Sequence, residues 1–206
     1  MARKITLLVA NSLDNFIARP DGDVEWLLWS DEVGKILAKV WKPVDTVVMG
    51  RKTYEVSVKL GGGGFPGVTT YVFSRTIKPE NAKDVEIIST DAVAFIRKLK
   101  QKRGKEILCM GGGEFAKSMF EAGLIDEISL NTHPVLLGSG VPLFLGLSKS
   151  VDLSLVECLP IEHGCICLTY RVKKDKSAAP TKTRRKSVKK ANKSKKSASK
   201  TGRSRR

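Results

Sequence analysis

Short apolar runs alternate with segments of helical periodicity along most of the chain, and this alternation restricts the fold more than any other feature. ITLLVA (5–10), DTVVMG (45–50) and EILCM (106–110) are typical of buried strands. SDEVGKILAKVW (30–41) and DAVAFIRKLKQK (91–102) place apolar side chains at helical spacing. Strands that alternate with helices in this way favour a parallel sheet with helices on its faces.

The last part of this pattern differs from the rest. Residues 152–172 hold two alternating stretches separated by PIEHG (160–164), which is typical of an antiparallel hairpin. The sequence therefore predicts an α/β fold with a mixed, mostly parallel sheet flanked by helices and a C-terminal antiparallel hairpin. Residues 11–29, with Pro20 and Gly22, are predicted to form a long loop.

Basic residues are concentrated at the C-terminus. The formal net charge is +16, but residues 173–206 hold 16 of the 37 Lys and Arg, which leaves 21 basic and 20 acidic residues in 1–172. The tail has no aromatic residue, so it cannot bury enough apolar area to offset the entropy of ordering. We predict a folded domain at 1–172 and a disordered tail at 173–206.

This tail has three interpretations. Closely spaced cations attract phosphate backbones, which predicts weak, non-specific nucleic-acid binding through 173–206. Basic clusters such as RRKSVKK (184–190) also resemble nuclear signals, and nucleoid or nuclear association would follow from either property. A solvated extension without function is the third interpretation.

Several classes of protein are disfavoured by the remaining composition. Four cysteines and two histidines lack the spacing of a disulfide framework or a zinc site, so we expect no metal and a reducing compartment. The first apolar run is too short for a signal peptide, and no apolar stretch reaches the ~18 residues of a membrane span. The expectation is a cytoplasmic protein without membrane contacts.

Two predicted strands end in glycine where a helix begins, in VVMG–RKTYE (47–55) and LCMGGG–EFAKSMF (108–120). A helix N-terminus presents unpaired N–H groups, and glycine lets a phosphate approach them closely. We expect the two ends to bind two phosphates of one ligand; glycines needed only for turns and packing are the alternative. Gly111-x-Gly113-x-x-Ala116 matches the dinucleotide pattern, but the acidic residues Asp126 and Glu127 precede the next strand, which disfavours a Rossmann domain.

Cations cluster at two of the predicted strand ends. Arg51, Lys52 and Thr53 occupy the first turn of a helix, where the dipole disfavours positive charge unless an anion is near. Ser74 and Arg75 follow the strand TTYVF, and the planar arginine fork suits a phosphate monoester. A phosphorylated ribose would explain both clusters, which predicts NADPH rather than NADH; an exposed structural role is the alternative.

Four segments together resemble the dihydrofolate reductase-like superfamily, in the branch of the reductase (C-terminal) domain of bacterial riboflavin-biosynthesis deaminase-reductases. They are ANSLDNFIARPDGDVEWL, DTVVMGRKTYE, YVFSRT and CMGGGEFAKSMFEAGLIDEISLNTHPVLLGSGVPLF. The resemblance covers about residues 4–172. It implies an NADPH-dependent oxidoreductase that forms a homodimer through the hairpin and PVLLGSGVPLF.

The resemblance also implies three groups of cofactor contacts. Those beside the nicotinamide are Ala10, Ile17 and Ala18; those at the adenosine phosphates are Gly50, Arg51, Lys52, Thr53, Ser74 and Arg75; those on the pyrophosphate side are Gly111, Gly112, Gly113, Glu114 and Phe115. Asn15 stands where the branch usually has glycine, and asparagine tolerates the positive φ of such a turn.

The hydride acceptor is expected to be a small heterocycle, pterin- or pyrimidinone-like, with Trp26 and Leu27 walling its site. Met110 replaces a glutamate that contacts the pyrimidine in the riboflavin pathway, so the riboflavin substrate itself is in doubt. We expect Trp29 and Trp41 in the core or on a helix face, and His133 and His163 to be structural or exposed.

Two carboxylates are candidates for the catalytic proton donor. Asp14 lies in the loop after the first strand, where an Asx turn that stabilises the loop is the alternative role. Asp31 begins a predicted helix, where the dipole favours acidic residues in any case. The rival to an enzyme is a nucleic-acid-associated protein with a non-catalytic, reductase-like body.

Overall fold

An eight-stranded mixed sheet organises residues 2–174, the part of the chain that this computed structural model describes. The elements in chain order are β1 (Ile5–Ser12), β2 (Phe16–Ala18), α1 (Asp31–Trp41), β3 (Val44–Gly50), α2 (Arg51–Lys59), β4 (Thr69–Phe73), β5 (Glu86–Ile88), α3 (Ala92–Gln101), β6 (Glu106–Met110), α4 (Gly113–Glu121), β7 (Glu127–His133), β8 (Val141–Pro142), β9 (Leu153–Pro160) and β10 (Ile166–Val172).

The strand order is β5-β4-β3-β6-β1-β7-β10-β9. All pairs from β5 to β7 are parallel, whereas β10 is antiparallel to both β7 and β9. The predicted mixed sheet with a C-terminal hairpin is therefore confirmed. The predicted disorder of the tail falls almost entirely on residues 175–206, outside the described residues.

The central strands are buried on both faces. Leu7 and Val9 of β1 enter one apolar cluster, together with residues of α3 and α4, while Leu8 packs on a second cluster that includes Tyr54 of α2 and Trp41 of α1. Helices on both sides therefore explain why β1, β3 and β6 are continuous apolar runs rather than alternating ones.

Side chains cap two of the four α-helices that the structure describes in residues 2–174. The Ser30 hydroxyl accepts the N–H of Val33 at 3.2 Å at the start of α1, and the Asp91 carboxylate accepts the N–H of Ala94 at 2.6 Å at the start of α3. Gly50 and Gly112 stand at the corresponding positions of α2 and α4, and neither carries a side chain that could cap its helix. The two glycine-bearing strand ends thus differ chemically from the other helix starts.

The predicted loop 11–29 contains one short strand that the sequence pattern did not indicate. β2 pairs antiparallel with β8 in a separate two-stranded sheet. Strands of three and two residues are too short to show a period, which is why they were missed. Asn15, at the turn before β2, has φ of 63°, as expected for a residue at a glycine-like position.

β9 forms one edge of the main sheet, and all eight of its residues are exposed. The homodimer through this hairpin stays a prediction. Within residues 2–174, no helix combines the length and apolar character needed to cross a bilayer.

Candidate cofactor and substrate cleft

The carboxyl ends of the parallel strands meet along one edge of the sheet. Gly50, Phe73, Met110 and His133 are the last residues of β3, β4, β6 and β7. In open sheets of this kind, ligands bind in the crevice outside the carboxyl ends of the strands. This edge is therefore where the predicted site residues can converge.

The two glycine-bearing ends lie side by side, because β3 and β6 are hydrogen-bonded neighbours with Met49 opposite Met110. A Cβ atom on Gly111 would stand 2.1 Å from Oγ1 of Thr53, and Gly111 has φ of +91°. A Cβ atom on Gly50 would stand 3.3 Å from Cβ of Phe115. Thr53, in the first turn of α2, thus contacts Gly111 before α4, and Phe115, in the first turn of α4, contacts Gly50 before α2.

The cations near these ends are arranged differently from one another. The guanidinium of Arg51 binds the carboxylate of Glu55 at 2.7 Å, and the two side chains are 40% and 44% exposed. An exposed pair at this helical spacing contributes only about 0.3–0.5 kcal/mol, so a bound phosphate could displace it. Lys52 is exposed beside it. The pairing with Glu55 also offsets the unfavourable dipole, which the sequence did not predict.

Ser74 and Arg75 have separate roles at the end of β4. The Ser74 hydroxyl accepts the N–H groups of Thr76 at 3.1 Å and Ile77 at 2.9 Å, so it holds the turn. Arg75 is exposed and lines a 270 Å³ cavity between the ends of β4 and β5 and the start of α3, together with the hydroxyl residues Ser89 and Thr90. The cavity is polar and lies one strand away from Gly50.

The remaining cofactor candidates are only partly brought together. Ile17 reaches the glycine end, because a Cβ atom on Gly112 would stand 3.1 Å from its Cδ1. Phe115 packs between Gly50 and Phe73, and the centroids of the two phenyl rings are 5.4 Å apart. Ala18 is buried in the small sheet, and Glu114 is exposed on α4.

A largely apolar cavity of 270 Å³ opens on the other side of the sheet edge, between β1, β7 and α1. Ala10 and Met110 line it from the strands, and Leu27 and Trp29 line it from the loop. The same two loop residues also border a larger, 730 Å³ cavity that the 21–29 loop forms with the far end of α2. Leu27 therefore lines both cavities, and its role at the substrate site stays a prediction.

Trp26 was predicted to wall this site, but the structure places it behind the wall. Its ring is 9% exposed and packs edge-on against His133, with centroids 5.3 Å apart. Trp29, 68% exposed, and Trp41 line the cavity instead. The loop has no periodic pattern, so its sequence could not indicate which of the two tryptophans is buried against His133 and which lines the cavity.

His133 is a polar residue of this cavity that sequence reasoning assigned to no site. Its side chain is 1% exposed, and its Nδ1 lies 3.2 Å from the N–H of Leu28 and 3.5 Å from Sγ of Cys165. Its Nε2 has no hydrogen-bond partner among residues 2–174, and burial lowers the pKa of the ring. The signal that could have found it is its position at the end of a strand predicted to lie in the sheet.

The two candidate proton donors stabilise local structure, Asp14 by bonds that tie loops together rather than by the expected Asx turn. The Asp14 carboxylate accepts the Ser12 hydroxyl at 2.5 Å and the N–H groups of Leu137 and Gly138 at 3.2 and 2.8 Å, which lowers its pKa and ties two loops together. Asp31 is exposed in the first turn of α1. Neither residue lines the apolar cavity.

The chain is similar to a known protein family and to curated relatives. The family model described as the RibD C-terminal domain matches residues 65–167. The uncharacterized protein YwjB of Bacillus subtilis (strain 168) is 38% identical over 158 residues, which cover 75% of this chain and 90% of YwjB.

Two solved structures illustrate the fold. A protein from Shewanella sp. PV-4, provisionally assigned to riboflavin biosynthesis, is 28% identical and superposes with a TM-score of 0.73 over 84% of this chain and all of its own. Dihydrofolate reductase from Enterococcus faecalis, complexed with NADP(H) and RAB-propyl, is 18% identical and superposes with a TM-score of 0.63 over the same shares. The second likeness is one of fold alone.

Proposed function

Because this chain belongs to the RibD C-terminal domain family, a reductase-type family, we propose that it is an NADPH-dependent reductase. In this proposal the substrate is a small ring compound that occupies the cavity between β1, β7 and α1. The dihydrofolate reductase that shares the fold binds NADP(H), which supports the class of cofactor.

One observation carries the proposal: within residues 2–174, the two α-helices that start at adjacent glycine-bearing strand ends are the two α-helices that lack a side-chain cap. In α4 the N–H of Gly113 donates to the carbonyl of Leu143 at 3.1 Å, but no side chain caps the other first-turn N–H groups of the two helices, and each helix dipole favours negative charge there. Gly111 also lets the start of α2 pack directly against the end of β6, since a methyl group at that position would collide with Thr53. The two phosphate groups of a pyrophosphate are close enough together for each to be bound at one of two neighbouring strand ends.

The residues of this chain would bind and orient the reactants, while the bound nicotinamide supplies the hydride. Gly50, Gly111 and Gly112 would hold the pyrophosphate, and Ile17 would separate it from the substrate side. Arg51 and Arg75 would hold the additional phosphate that distinguishes NADPH from NADH. Ala10, at the mouth of the apolar cavity, would leave room for the nicotinamide ring beside the substrate.

Titration with NADPH and NADH tests this assignment. We expect Arg51→Ala or Arg75→Ala to weaken NADPH by roughly tenfold, the low end for a charge-assisted hydrogen bond, because Arg75 is exposed and the Arg51 side chain is 40% exposed, and to leave NADH nearly unchanged. Arg103→Ala is the matched control, since Arg103 is exposed in the turn before β6, at the opposite edge of the sheet. Equal losses for both nucleotides would contradict the assignment.

We also propose that residues 173–206 add a second, independent activity, namely weak binding to nucleic-acid backbones. The supporting observation is the charge distribution, with 16 Lys and Arg and one acidic residue in this segment against a nearly neutral body. The segment has no aromatic residues, so stacking on bases does not contribute.

A further inference from the structure

We infer that the compound bound in the apolar cavity is uncharged and largely apolar, with one carbonyl or imine group that accepts a hydrogen bond from His133. The inference rests on the proposed function only in treating this cavity as the substrate site. It departs from the pterin-like acceptor expected from the sequence, and the reasons lie in the side chains that line the cavity.

The face of α1 that borders the cavity is apolar. Val33, Leu37 and Trp41 are spaced by four residues and all three line the cavity. The two acidic residues of α1 do not: Asp31 is exposed, and the Glu32 carboxylate accepts the N–H of Glu162 at 2.9 Å. A carboxylate is therefore missing on the helix face where a protonated heterocycle would need one.

The other walls of this cavity do not supply a charge either, since the acidic loop residues Asp21, Asp23 and Glu25 line the adjoining 730 Å³ cavity instead. Among the described residues, eleven of the thirteen that line it are apolar, and Asn131 and His133 are the two polar ones. Moving a charged ring into such surroundings without a partner is costly, because the loss of hydration is not compensated. An uncharged compound avoids this cost.

His133 presents a hydrogen-bond donor that the protein leaves unused. Because Nδ1 accepts the N–H of Leu28, the hydrogen of the neutral ring lies on Nε2. Burial, which lowers the pKa of the ring, keeps it neutral at pH 7. A buried N–H without an acceptor is unfavourable, so a carbonyl oxygen or imine nitrogen of the substrate would gain from meeting it once the groups that cover Nε2 move aside.

The position of His133 suits this role. It is the last residue of β7 and pairs with Ser12 of β1, two residues beyond the Ala10–Asn131 pair that also lines the cavity. The contact with Leu28 and the edge-on packing of Trp26 hold the ring in one orientation. A neutral imidazole held in this way can polarise a carbonyl or imine group by donating a hydrogen bond.

The test compares probes that differ in one group, by calorimetric titration of the full chain. The probes are 1-tetralone, a neutral bicyclic ketone; tetralin, the same rings without the carbonyl; and protonated 2,4-diaminopyrimidine. We expect 1-tetralone to bind roughly fivefold more tightly than tetralin, as one neutral hydrogen bond allows. The diaminopyrimidine should bind at least about tenfold more weakly than 1-tetralone.

Two variants then assign the difference to His133. His133→Leu removes the donor and should abolish the preference for 1-tetralone over tetralin, whereas His133→Gln keeps an N–H near the Nε2 position and should restore part of it. Since the preference is first measured on the wild-type chain, a variant that does not fold leaves the main comparison intact.

The outcomes separate this inference from the proposed function. Equal binding of 1-tetralone and tetralin to the wild-type chain, or tighter binding of the diaminopyrimidine, would overturn the inference even if NADPH binds. A clear preference for 1-tetralone that depends on His133, in a chain that does not bind NADPH, would support the inference about the cavity and overturn the reductase proposal.

Discussion

Replacing Gly111 by alanine tests the contact on which the cofactor proposal depends, the approach of β6 to the start of α2. The new Cβ atom would stand 2.1 Å from Oγ1 of Thr53, far inside van der Waals contact, on a backbone with φ of +91°. We therefore expect two separate penalties, one from the backbone conformation and one from the collision.

The size of each penalty follows from general values. A left-handed conformation costs a residue with a side chain about 1–2 kcal/mol, and overpacking at a close contact costs about 1–3 kcal/mol more. Gly111→Ala should therefore lower the free energy of unfolding by about 2–5 kcal/mol. Gly61→Ala isolates the first penalty, because Gly61 has φ of +83° and its Cβ atom would meet nothing within 4 Å.

Thr53→Ala isolates the second penalty. It removes Oγ1 and leaves Cβ of residue 53 as the nearest atom, 3.1 Å from the new methyl group, a tight but tolerable distance. In a double-mutant cycle, Thr53→Ala should recover about 1–2 kcal/mol in the Gly111→Ala background while costing less than about 1 kcal/mol alone. Urea unfolding measures the free energy of unfolding of the four proteins in the cycle, provided that the dependence on urea concentration (the m value) is the same for all of them.

Two outcomes would contradict the predicted contact between Gly111 and Thr53. If Gly111→Ala costs no more than Gly61→Ala, or if Thr53→Ala gives no relief, then the two glycine-bearing ends do not touch. The shared cleft, and with it the site for a single dinucleotide, would then be refuted. If the contact is present, Gly111→Ala should also weaken NADPH, and Gly61→Ala should not.

Two further predictions concern the loops and the tail. The hydrogen bond from Ser12, together with the N–H groups of Leu137 and Gly138, lowers the pKa of Asp14 in the folded protein. Ionised Asp14 should therefore stabilise the fold fully above the pKa of about 3.9 that it has in the unfolded chain, and this stabilisation should be lost as the pH falls through the folded pKa. The difference in melting temperature between the wild type and Asp14→Asn should accordingly shrink on acidification from pH 7 to about pH 3, and a constant difference would contradict this. The full chain should bind duplex DNA weakly, and its affinity should fall ~10³–10⁵-fold between 50 and 200 mM salt if six to ten phosphates are engaged. A chain that ends at residue 173 should not bind DNA. Retained binding by the shorter chain would place the nucleic-acid surface on the body.

Much of the fold could be read from local pattern. Apolar runs such as 5–10 and 106–110 identified strands that are buried on both faces, and the helix of 91–102 began at its capping Asp91. Each of these signals lies within a few residues of the element that it indicates, so no knowledge of the neighbours is needed. The glycine before each of the two uncapped helices is a local signal of the same kind.

The contacts between distant segments could not be read in this way. β3 and β6 are neighbours although β4, β5 and α3 lie between them in the chain, and this pairing brings Gly111 against Thr53. The inward position of Trp26, the exposure of Trp29 and the buried state of His133 likewise depend on how an aperiodic loop packs on β7. The sequence by itself determined which strands and helices form and which residue types end them; the tertiary structure alone decided which ends meet, because burial and contact depend on residues far apart in the chain.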